Sequence, residues 1–440
     1  MNEQIVSNIN KYARSLAEKG YLQSGYIAVK DADGIVITNR VEDGDYSNIT
    51  EEGLTFVNDK NIETLEGNFR AAAVILYCAI RQDKNAEAGA IVDSDSIVKF
   101  SSKRKTLMPI LDDLSQVCGI SIKSVEKNVA ADVVSALAGQ RNCCFLPDAG
   151  AVVTGRTLDE VFTATLVLDK ACNAELLAEG KGGTQHMNPV NAFLEHVVFK
   201  LKYSKTNQKQ QKAVESGQKA EQEQKQSAVV SDEDKKIAQD IKDAGVRLLN
   251  ENLVQGTWGN IAVKIDDQYM FATPSALDYV MLQPEQMAKV NMQTLEWTGT
   301  NKATSEKGVH AILLNKNDGI TATIHTHPFY GCILAAMAKP MPVPEKFQDV
   351  LGKEIPCAGP ALPGTSKLVK NAAAAIGDAP ACFMAHHGVI VRGKDLDDAF
   401  RICRALEDAC KEFLGVQDDV NTDVKDAPQE ENNEESTQEA

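Results

Sequence analysis

Two histidines, His325 and His327, stand at the end of a β-branched stretch and just before Pro328. Such a stretch followed by proline predicts a strand that ends at a turn. Alternate residues of a strand project to the same face, so both imidazoles are expected on one side of the sheet. Two imidazoles that converge on one point can bind a metal ion.

A third histidine, His387, lies between two further apolar, strand-like stretches, and a carboxylate, Glu306, lies upstream of all three. Five of the seven histidines in the chain fall between His310 and His387. Three histidines with a fourth position left open form a common catalytic zinc arrangement. We therefore predict a site for zinc, or another divalent metal, with the ligands His325, His327 and His387.

Length and composition restrict the classes of protein that need to be considered. A chain of 440 residues is long enough for about two to three domains with their own cores. The net charge of −16 argues against nucleic acid or an anionic membrane surface as a partner. Ten cysteines without a Cys-x-x-Cys pair, and an N-terminus without an apolar signal region, predict reduced thiols and a cytoplasmic protein.

The predicted elements of the first half of the chain recur in the second half. Residues 26–30 match residues 260–264, and residues 144–150 match residues 382–388, with the glycines in register. An agreement of this length predicts an internal duplication. The predicted boundaries are a first copy at 1–203, a linker at 204–230, a second copy at 231–416 and an acidic tail at 417–440.

Composition supports the linker and the tail as separate segments. The linker is rich in Gln, Lys and Glu and has almost no large apolar residue, so it is expected to be flexible or loosely helical. The tail is dominated by acids and amides, and we expect it to be disordered. Ser231, followed by three acids, is predicted to cap the first helix of the second copy.

The two copies differ at the predicted metal site. In the sequence alignment Asp93 and Asp95 stand where His325 and His327 do, and Ala149 replaces His387. The first copy is therefore predicted to keep the fold without metal ligands.

Five motifs follow one another between residues 232 and 416: Gly256-Thr257-Trp258-Gly259-Asn260, Thr273-Pro274-Ser275, Thr304-Ser305-Glu306, His325-Thr326-His327 and His386-His387-Gly388. In these motifs the segment resembles the class II aldolase/adducin family, typified by zinc-dependent fuculose-phosphate and rhamnulose-phosphate aldolases. The resemblance implies a three-layer α/β fold with helices on both faces of a central, mainly antiparallel sheet. It also implies four-fold rings with active sites between neighbouring subunits.

The resemblance also implies roles for single residues. His325, His327 and His387 correspond to the zinc ligands, and Glu306 corresponds to the acid/base. Positions that hold the substrate phosphate correspond to Thr257, Asn260, Ser275, Thr304 and Ser305. A zinc ion at such a site acts as a Lewis acid and stabilises an enediolate, while the carboxylate moves the proton.

One departure from the family keeps the reaction open. Sugar-phosphate aldolases use a tyrosine between the two histidine motifs, donated by a neighbouring subunit, but residues 331–386 contain no tyrosine. Retro-aldol cleavage of a small ketose phosphate is the first reading. A dehydratase or decarboxylase on the same zinc–glutamate core is the alternative, as is a non-catalytic, adducin-like assembly protein.

The duplication itself suggests an assembly. One chain supplies two neighbouring places in a four-fold ring, which predicts a homodimer with pseudo-four-fold symmetry. The first copy would then bury the neighbour-facing surface of the second, where it could lend side chains to the pocket. The sequence does not say which residues these are.

Overall fold

The computed structural model describes residues 2–39, 45–201, 226–254, 258–275, 277, 279–316 and 318–417. Most of the predicted linker and almost all of the predicted tail lie outside these residues. Residues 226–230, predicted as the end of the linker, are packed on the second copy. Val229 is buried, and the Ser227 hydroxyl donates a hydrogen bond to the Glu285 carbonyl at 2.9 Å.

A seven-stranded sheet forms the centre of the first copy. Its strands are β1 (Tyr26–Asp31), β2 (Gly34–Thr38), β3 (Leu54–Val57), β4 (Ala88–Val92), β5 (Lys123–Ser124), β6 (Cys143–Leu146) and β7 (Gly150–Gly155). They lie in the order β3-β2-β1-β4-β7-β6-β5. All neighbours are antiparallel except β5 and β6, which are parallel.

Helices cover both faces of this sheet. They are α1 (Glu3–Glu18), α2 (Gly67–Gln82), α3 (Asp95–Ser101), α4 (Asp112–Cys118), α5 (Ala130–Leu137), α6 (Leu158–Ala178) and α7 (189–201). One face packs against α2 and α5, and the other packs against α1, α3, α4 and α6. Apolar strand residues on both faces account for the strands being buried almost throughout.

An eight-stranded sheet forms the centre of the second copy. The strands of this copy are β8 (Gly259–Lys264), β9 (Tyr269–Ala272), β10 (Ala288–Asn291), β11 (Trp297–Thr298), β12 (Ala322–Thr326), β13 (Met341–Pro342), β14 (Glu354–Ile355), β15 (Cys357–Ala358), β16 (Ala381–Met384) and β17 (Gly388–Gly393). The order is β11-β10-β9-β8-β12-β17-β16-β15, and β13 pairs with β14 outside it. Only β15 and β16 are parallel among these pairs of the described chain.

The helices of the second copy repeat the same two layers. They are α8 (Asp232–Asn250), α9 (Lys307–Leu314), α10 (Phe329–Met337), α11 (Gln348–Leu351), α12 (Ser366–Ile376) and α13 (Leu396–Leu414). Ser231 caps α8 as predicted, because its hydroxyl accepts a hydrogen bond from the Asp234 amide and the Asp234 carboxylate accepts one from the Ser231 amide.

The matching strand orders confirm the predicted fold, a mainly antiparallel α/β sheet in two tandem copies. The strand register corrects one detail of the sequence alignment. Tyr26 pairs with Ile91 in the first copy, and the corresponding Asn260 pairs with His325 in the second. Ile91 therefore stands in the place of His325, and Asp93 in the place of His327. The sequence alignment that assigned Asp93 and Asp95 to these places was wrong by two residues, because the strands themselves share few residue types.

The two copies pack directly against each other. Helix α6 of the first copy lies against α10 of the second, and one continuous hydrophobic cluster includes residues of both. Buried side chains lie on every side of α6, as expected for a helix enclosed by its own sheet and by a neighbouring copy. The inter-copy contact ends beside the predicted metal site.

No helix in the described ranges is both long enough and apolar enough to cross a membrane. The described ranges include all ten cysteines, and each thiol is free. This agrees with the predicted reduced thiols.

Candidate metal centre

The structure brings the three predicted histidines together from two elements. His325 and His327 lie at the end of β12, and His387 lies in the turn between β16 and β17. One nitrogen of each ring can be chosen so that all three nitrogens lie within 4.8 Å of one another, and all three side chains are buried. The Nε2 atoms of His325 and His327 are 3.1 Å apart.

The outer nitrogens show that this cluster fits a divalent ion. His325 Nδ1 lies 2.8 Å from the Val389 carbonyl, which assigns the proton to Nδ1 and leaves Nε2 free as a ligand atom. His387 Nδ1 is hydrogen-bonded to the Asp112 carboxylate in the same way. Imidazoles with Nδ1 held by a carbonyl or a carboxylate are typical of zinc-binding histidines.

The turn that carries His387 is held tightly. His386 has a left-handed backbone with φ of 67°, and its amide donates to the Ala335 carbonyl at 3.0 Å. At Gly388 an added Cβ would lie 2.6 Å from the Thr326 carbonyl oxygen and 3.0 Å from the His327 ring. Only glycine allows β17 to approach the histidine strand so closely.

Glu306 lies against the histidine cluster at the start of α9. One carboxylate oxygen is 2.7 Å from His387 Nε2, and the other is 3.1 Å from His325 Nε2. The Asn260 amide donates to Glu306 Oε2 at 3.1 Å. The carboxylate predicted as acid/base is thus buried on the ligand side of the imidazoles.

A set of hydrogen-bonded side chains around Asn260 orients Glu306, and the sequence analysis did not identify it. His310 Nε2–H donates to Asn260 Oδ1, and the Thr323 hydroxyl lies 2.7 Å from His310 Nδ1. Burial lowers the pKa of His310 to about 4, which keeps the ring neutral. The available signal was spacing, because His310 follows Glu306 by one helical turn.

Charges inside the cluster oppose the effect of burial. Burial alone would raise the pKa of Glu306, but His325, His387 and the hydrogen bonds to Glu306 hold this pKa well below its usual value. Burial lowers the pKa of His325 to about 3, although Glu306 acts against it. For His387 burial also acts downwards, but Asp112 and Glu306 raise its pKa well above the usual value.

The predicted phosphate residues are placed in different surroundings. Thr257 lies outside the described residues. The amide of Asn260 already contacts Glu306 and His310. The hydroxyl of Ser275 donates to the Ala303 carbonyl at 3.1 Å, the Thr304 hydroxyl accepts from the Glu306 amide at 3.2 Å, and Ser305 is exposed. Their phosphate roles stay predictions.

Three residues of the first copy also reach this site. Asp112 contacts His387, and Asp113 Oδ2 lies 3.9 Å from His327 Nδ1 and 2.6 Å from Lys170 Nζ. No sequence motif indicates Asp112 and Asp113, because the histidines that they face lie in the other copy, far away in sequence. Two adjacent acids within an otherwise apolar segment were the only available signal.

Comparison with known families agrees with this architecture. A family model described as "Class II Aldolase and Adducin N-terminal domain" matches residues 7–176 and again residues 239–414. The chain belongs to this family. Its two matched regions correspond to the two copies of the fold.

Individual members of the family resemble about two-fifths of the chain. A 5-methylthioribulose-1-phosphate/5-deoxyribulose-1-phosphate aldolase from Rhodospirillum rubrum is 30% identical over 172 residues, which are 39% of this chain and 77% of that protein. An L-fuculose phosphate aldolase from Haemophilus influenzae is 28% identical over 39% of this chain and 79% of its own length. A solved structure described as L-fuculose 1-phosphate aldolase shares 30% identity, with a TM-score of 0.40 over 42% of this chain and 86% of the other.

These comparisons confirm two predictions. The family is that of the class II aldolases in tandem arrangement, and the enzyme class is an aldolase-type lyase.

Proposed function

We propose that the chain is a divalent-metal-dependent aldolase that cleaves a small ketose phosphate between two carbons. The observation that carries the proposal is the buried cluster of His325, His327 and His387 with Glu306 against its ligand face. Two aldolases named for phosphorylated ketoses are each similar to 39% of this chain. The ion is proposed to be zinc, held by the three histidines.

Each part of this cluster has a chemical role. When bound, the ion polarises the carbonyl of the ketose and stabilises the negative charge that develops when the carbon–carbon bond breaks. The three imidazoles hold the ion in a buried place, where electrostatic stabilisation is stronger than in water. The Glu306 carboxylate, buried against the ligand face of the histidines, would accept the hydroxyl proton of the ketose and return it to carbon.

His387 connects ion binding with the availability of Glu306. In the structure His387 Nε2 lies at hydrogen-bond distance, 2.7 Å, from Glu306 Oε1. The same nitrogen cannot donate to Glu306 and offer its lone pair to an ion. Glu306 therefore loses this partner when the histidines act as ligands, and one carboxylate oxygen becomes available to substrate.

The substrate phosphate is proposed to lie near the start of α9. Thr304 and Ser305 precede this helix, and Ser275 lies next to them through the pairing of Pro274 with Ala303. Hydroxyl groups and backbone amides at such turns bind phosphate without needing basic side chains. Thr257 and Asn260 complete the proposed set.

The alternative reaction keeps the same residues. The first copy presents acids at the metal site, and the segment between the second copy's histidine motifs contains no tyrosine. A dehydratase or decarboxylase on the zinc–glutamate core would not require that tyrosine. A non-catalytic assembly role, as in adducin, is proposed for the fold of the first copy only.

The remaining proposals concern the whole chain. We propose a linker that connects the two copies, an acidic tail after residue 416, a cytoplasmic location and a homodimer with pseudo-four-fold symmetry. Ten free cysteines support a reducing compartment.

A screen of ketose 1-phosphates tests the function. Cleavage between carbons 3 and 4 of such a sugar releases dihydroxyacetone phosphate, which a coupled dehydrogenase assay detects. We expect release by the zinc-loaded chain, and at least ~10²-fold slower release by Glu306→Gln. Glu296→Gln, an exposed acid of the same copy, is the control and should keep full activity.

Two outcomes would contradict the proposal. Loss of water from the same substrates, without an aldehyde, would replace it with a dehydratase reaction. An unchanged rate in Glu306→Gln would show that the proton acceptor lies elsewhere.

A further inference from the structure

We propose that the first copy is retained because it completes the metal centre of the second, with Asp112 as the positioning residue of His387. The proposal rests on the metal site of the proposed function. The first copy lacks the three histidines, yet in this proposal it supplies part of the second copy's site. Asp113, held by Lys170, lies 3.9 Å from His327 Nδ1 without a hydrogen bond to it.

Three hydrogen bonds between described residues join the first copy to the turn that carries His387. The Asp112 amide donates to the His386 carbonyl at 2.8 Å, and His386 Nδ1 lies 2.9 Å from the Ile110 carbonyl. His387 Nδ1 is bonded to the Asp112 carboxylate. The segment from Ile110 to Asp112 therefore fixes both the backbone and the ring of the turn that carries the third ligand.

The hydrogen bond to Asp112 decides which nitrogen of His387 can bind an ion. An ionised carboxylate can only accept hydrogen bonds, so its partner nitrogen Nδ1 must carry the proton. The lone pair is then left on Nε2, which points to the other two histidines. The negative charge also increases the basicity of the ring, as outer carboxylates do at zinc sites.

Asp113 presents a second carboxylate to the cluster without adding net charge. Its Oδ2 forms a buried ion pair with Lys170 Nζ at 2.6 Å. Its Oδ1 and His327 Nδ1 are both buried, and neither has a hydrogen-bond partner in the described part of the chain. His327 is thus the one histidine of the three whose outer nitrogen faces a carboxylate at 3.9 Å rather than a bonded acceptor.

The two copies divide these residues between them. The helix that begins at Asp112 ends before Gly119, and the equivalent helical segment of the second copy begins at Glu345 and ends before Gly352, so Glu345 stands in the place of Asp112 and Lys346 in the place of Asp113. Lys346 forms a surface ion pair with Glu412. The acids of the first copy are therefore buried against the histidines of the second, whereas Glu345 and Lys346, at the equivalent positions of the second copy, are exposed.

Packing alone does not account for the acids. A carboxylate buried between two copies costs free energy unless it is paired, and apolar residues of similar size often pack there at no loss. Asp112 finds its side-chain partner in His387, a predicted ligand. A role in the site explains why a charged residue occupies this place.

Zinc affinity of the full chain tests the inference without any substrate. The dissociation constant is measured at fixed pH by competition with a chromophoric chelator for the wild type, Asp112→Asn and Asp112→Ala. Loss of an outer partner of a ligand typically weakens metal binding by about 10- to 100-fold. We expect Asp112→Ala to lose this much and Asp112→Asn, which keeps an acceptor oxygen, to lose less.

Asp148→Asn is the matched control. Asp148 is an exposed acid of the same copy and pairs with Arg104 at the surface. Its left-handed backbone, with φ of 62°, tolerates asparagine. This variant should bind zinc as the wild type does, and thermal unfolding of all metal-free variants in chelator reports whether the fold is intact.

A spectroscopic signature separates positioning from general loosening. The cobalt-substituted chain is expected to show visible absorption bands that shift in Asp112→Asn, because the donor strength of His387 changes. If Asp112→Ala does not fold, the affinity and spectrum of Asp112→Asn carry the test.

The possible results distinguish this inference from the proposed function. Wild-type affinity and an unchanged cobalt spectrum in both variants would overturn the positioning role and leave the metal site standing. Weakened binding without aldolase activity would support the positioning role and contradict the proposed reaction. A wild-type chain that binds no zinc would overturn both.

Discussion

At the scale of single residues, consecutive hydrogen bonds between neutral and charged side chains set the orientation of each group in the candidate site. Thr323 fixes the tautomer of His310, His310 fixes the amide of Asn260, and Asn260 donates to Glu306. Each member is buried. The orientation of the proposed acid/base therefore depends on a histidine that touches neither ion nor substrate.

His310 gives a prediction about pH. Burial lowers the pKa of this ring in the folded chain to about 4, against 6.5 in the unfolded chain. As pH falls, the unfolded state takes up the proton first, so the stability contribution is complete above pH 6.5 and is lost as pH falls through 4. At about 1.4 kcal/mol per pKa unit, the loss amounts to about 3 kcal/mol.

Chemical denaturation of the metal-free chain at several pH values measures this loss. We expect the free energy of unfolding of His310→Gln to depend less on pH between 6.5 and 4 than that of the wild type. His186→Gln, at an exposed histidine, should follow the wild type. Equal slopes for His310→Gln and wild type would show that His310 does not carry the effect.

At the scale of elements, the site depends on one strand end and one turn approaching closely. β12 pairs with β17 through His325 and Ile390, and the turn before β17 places His387 over the strand. Gly388 lies at the closest point of this approach. The first copy has the same turn, with a left-handed Asp148 in the place of His386.

Gly388→Ala is expected to disturb this approach. The added methyl group would meet the Thr326 carbonyl oxygen at 2.6 Å, and overpacking of this kind costs about 1–3 kcal/mol. We expect a lower free energy of unfolding, by denaturant titration, and weaker zinc binding. Gly359→Ala is the control, because the nearest atom to its added Cβ lies at 3.5 Å. A fully stable Gly388→Ala variant would contradict the close approach.

The success of the sequence prediction differed between local and long-range features. Strand alternation and the proline after His327 identified the histidine pair, since these signals lie within a few residues. Pairing of Asp112 with His387 depends on how two copies dock, and no local pattern encodes that. The register of Asp93 was misassigned for a related reason, because the strand partners that define it are distant in sequence.

At the scale of the whole molecule, the contact between the copies is head-to-tail. Helix α6 of the first copy packs on α10 of the second. The helix equivalent to α6 in the second copy is α13, and the helix equivalent to α10 in the first copy is α3. Repetition of a head-to-tail contact closes a ring when the rotation allows it. Two chains would then form the four places of the proposed ring.

In such a ring, the contact between two chains would differ in charge from the contact between the two copies of one chain. The outward face of α13 carries the exposed Arg401 and Arg404, where the matching positions of α6 are Thr163 and Leu166. A contact that depends on charge weakens as salt screens it. We expect light scattering to give the mass of two chains at low ionic strength and of one chain in about 1 M salt. A single-chain mass at low salt and micromolar concentration would rule out the homodimer.

The central claim is that one chain holds one ion and that this ion is needed for carbon–carbon cleavage. Zinc is titrated into the metal-free full chain while the rate of dihydroxyacetone phosphate release is followed. The rate should rise linearly and reach its plateau at about one equivalent per chain, because only the second copy carries three histidine ligands. His327→Ala should show no such rise, whereas His186→Ala should match the wild type. A rate that does not depend on zinc, or a plateau at two equivalents, would contradict the account.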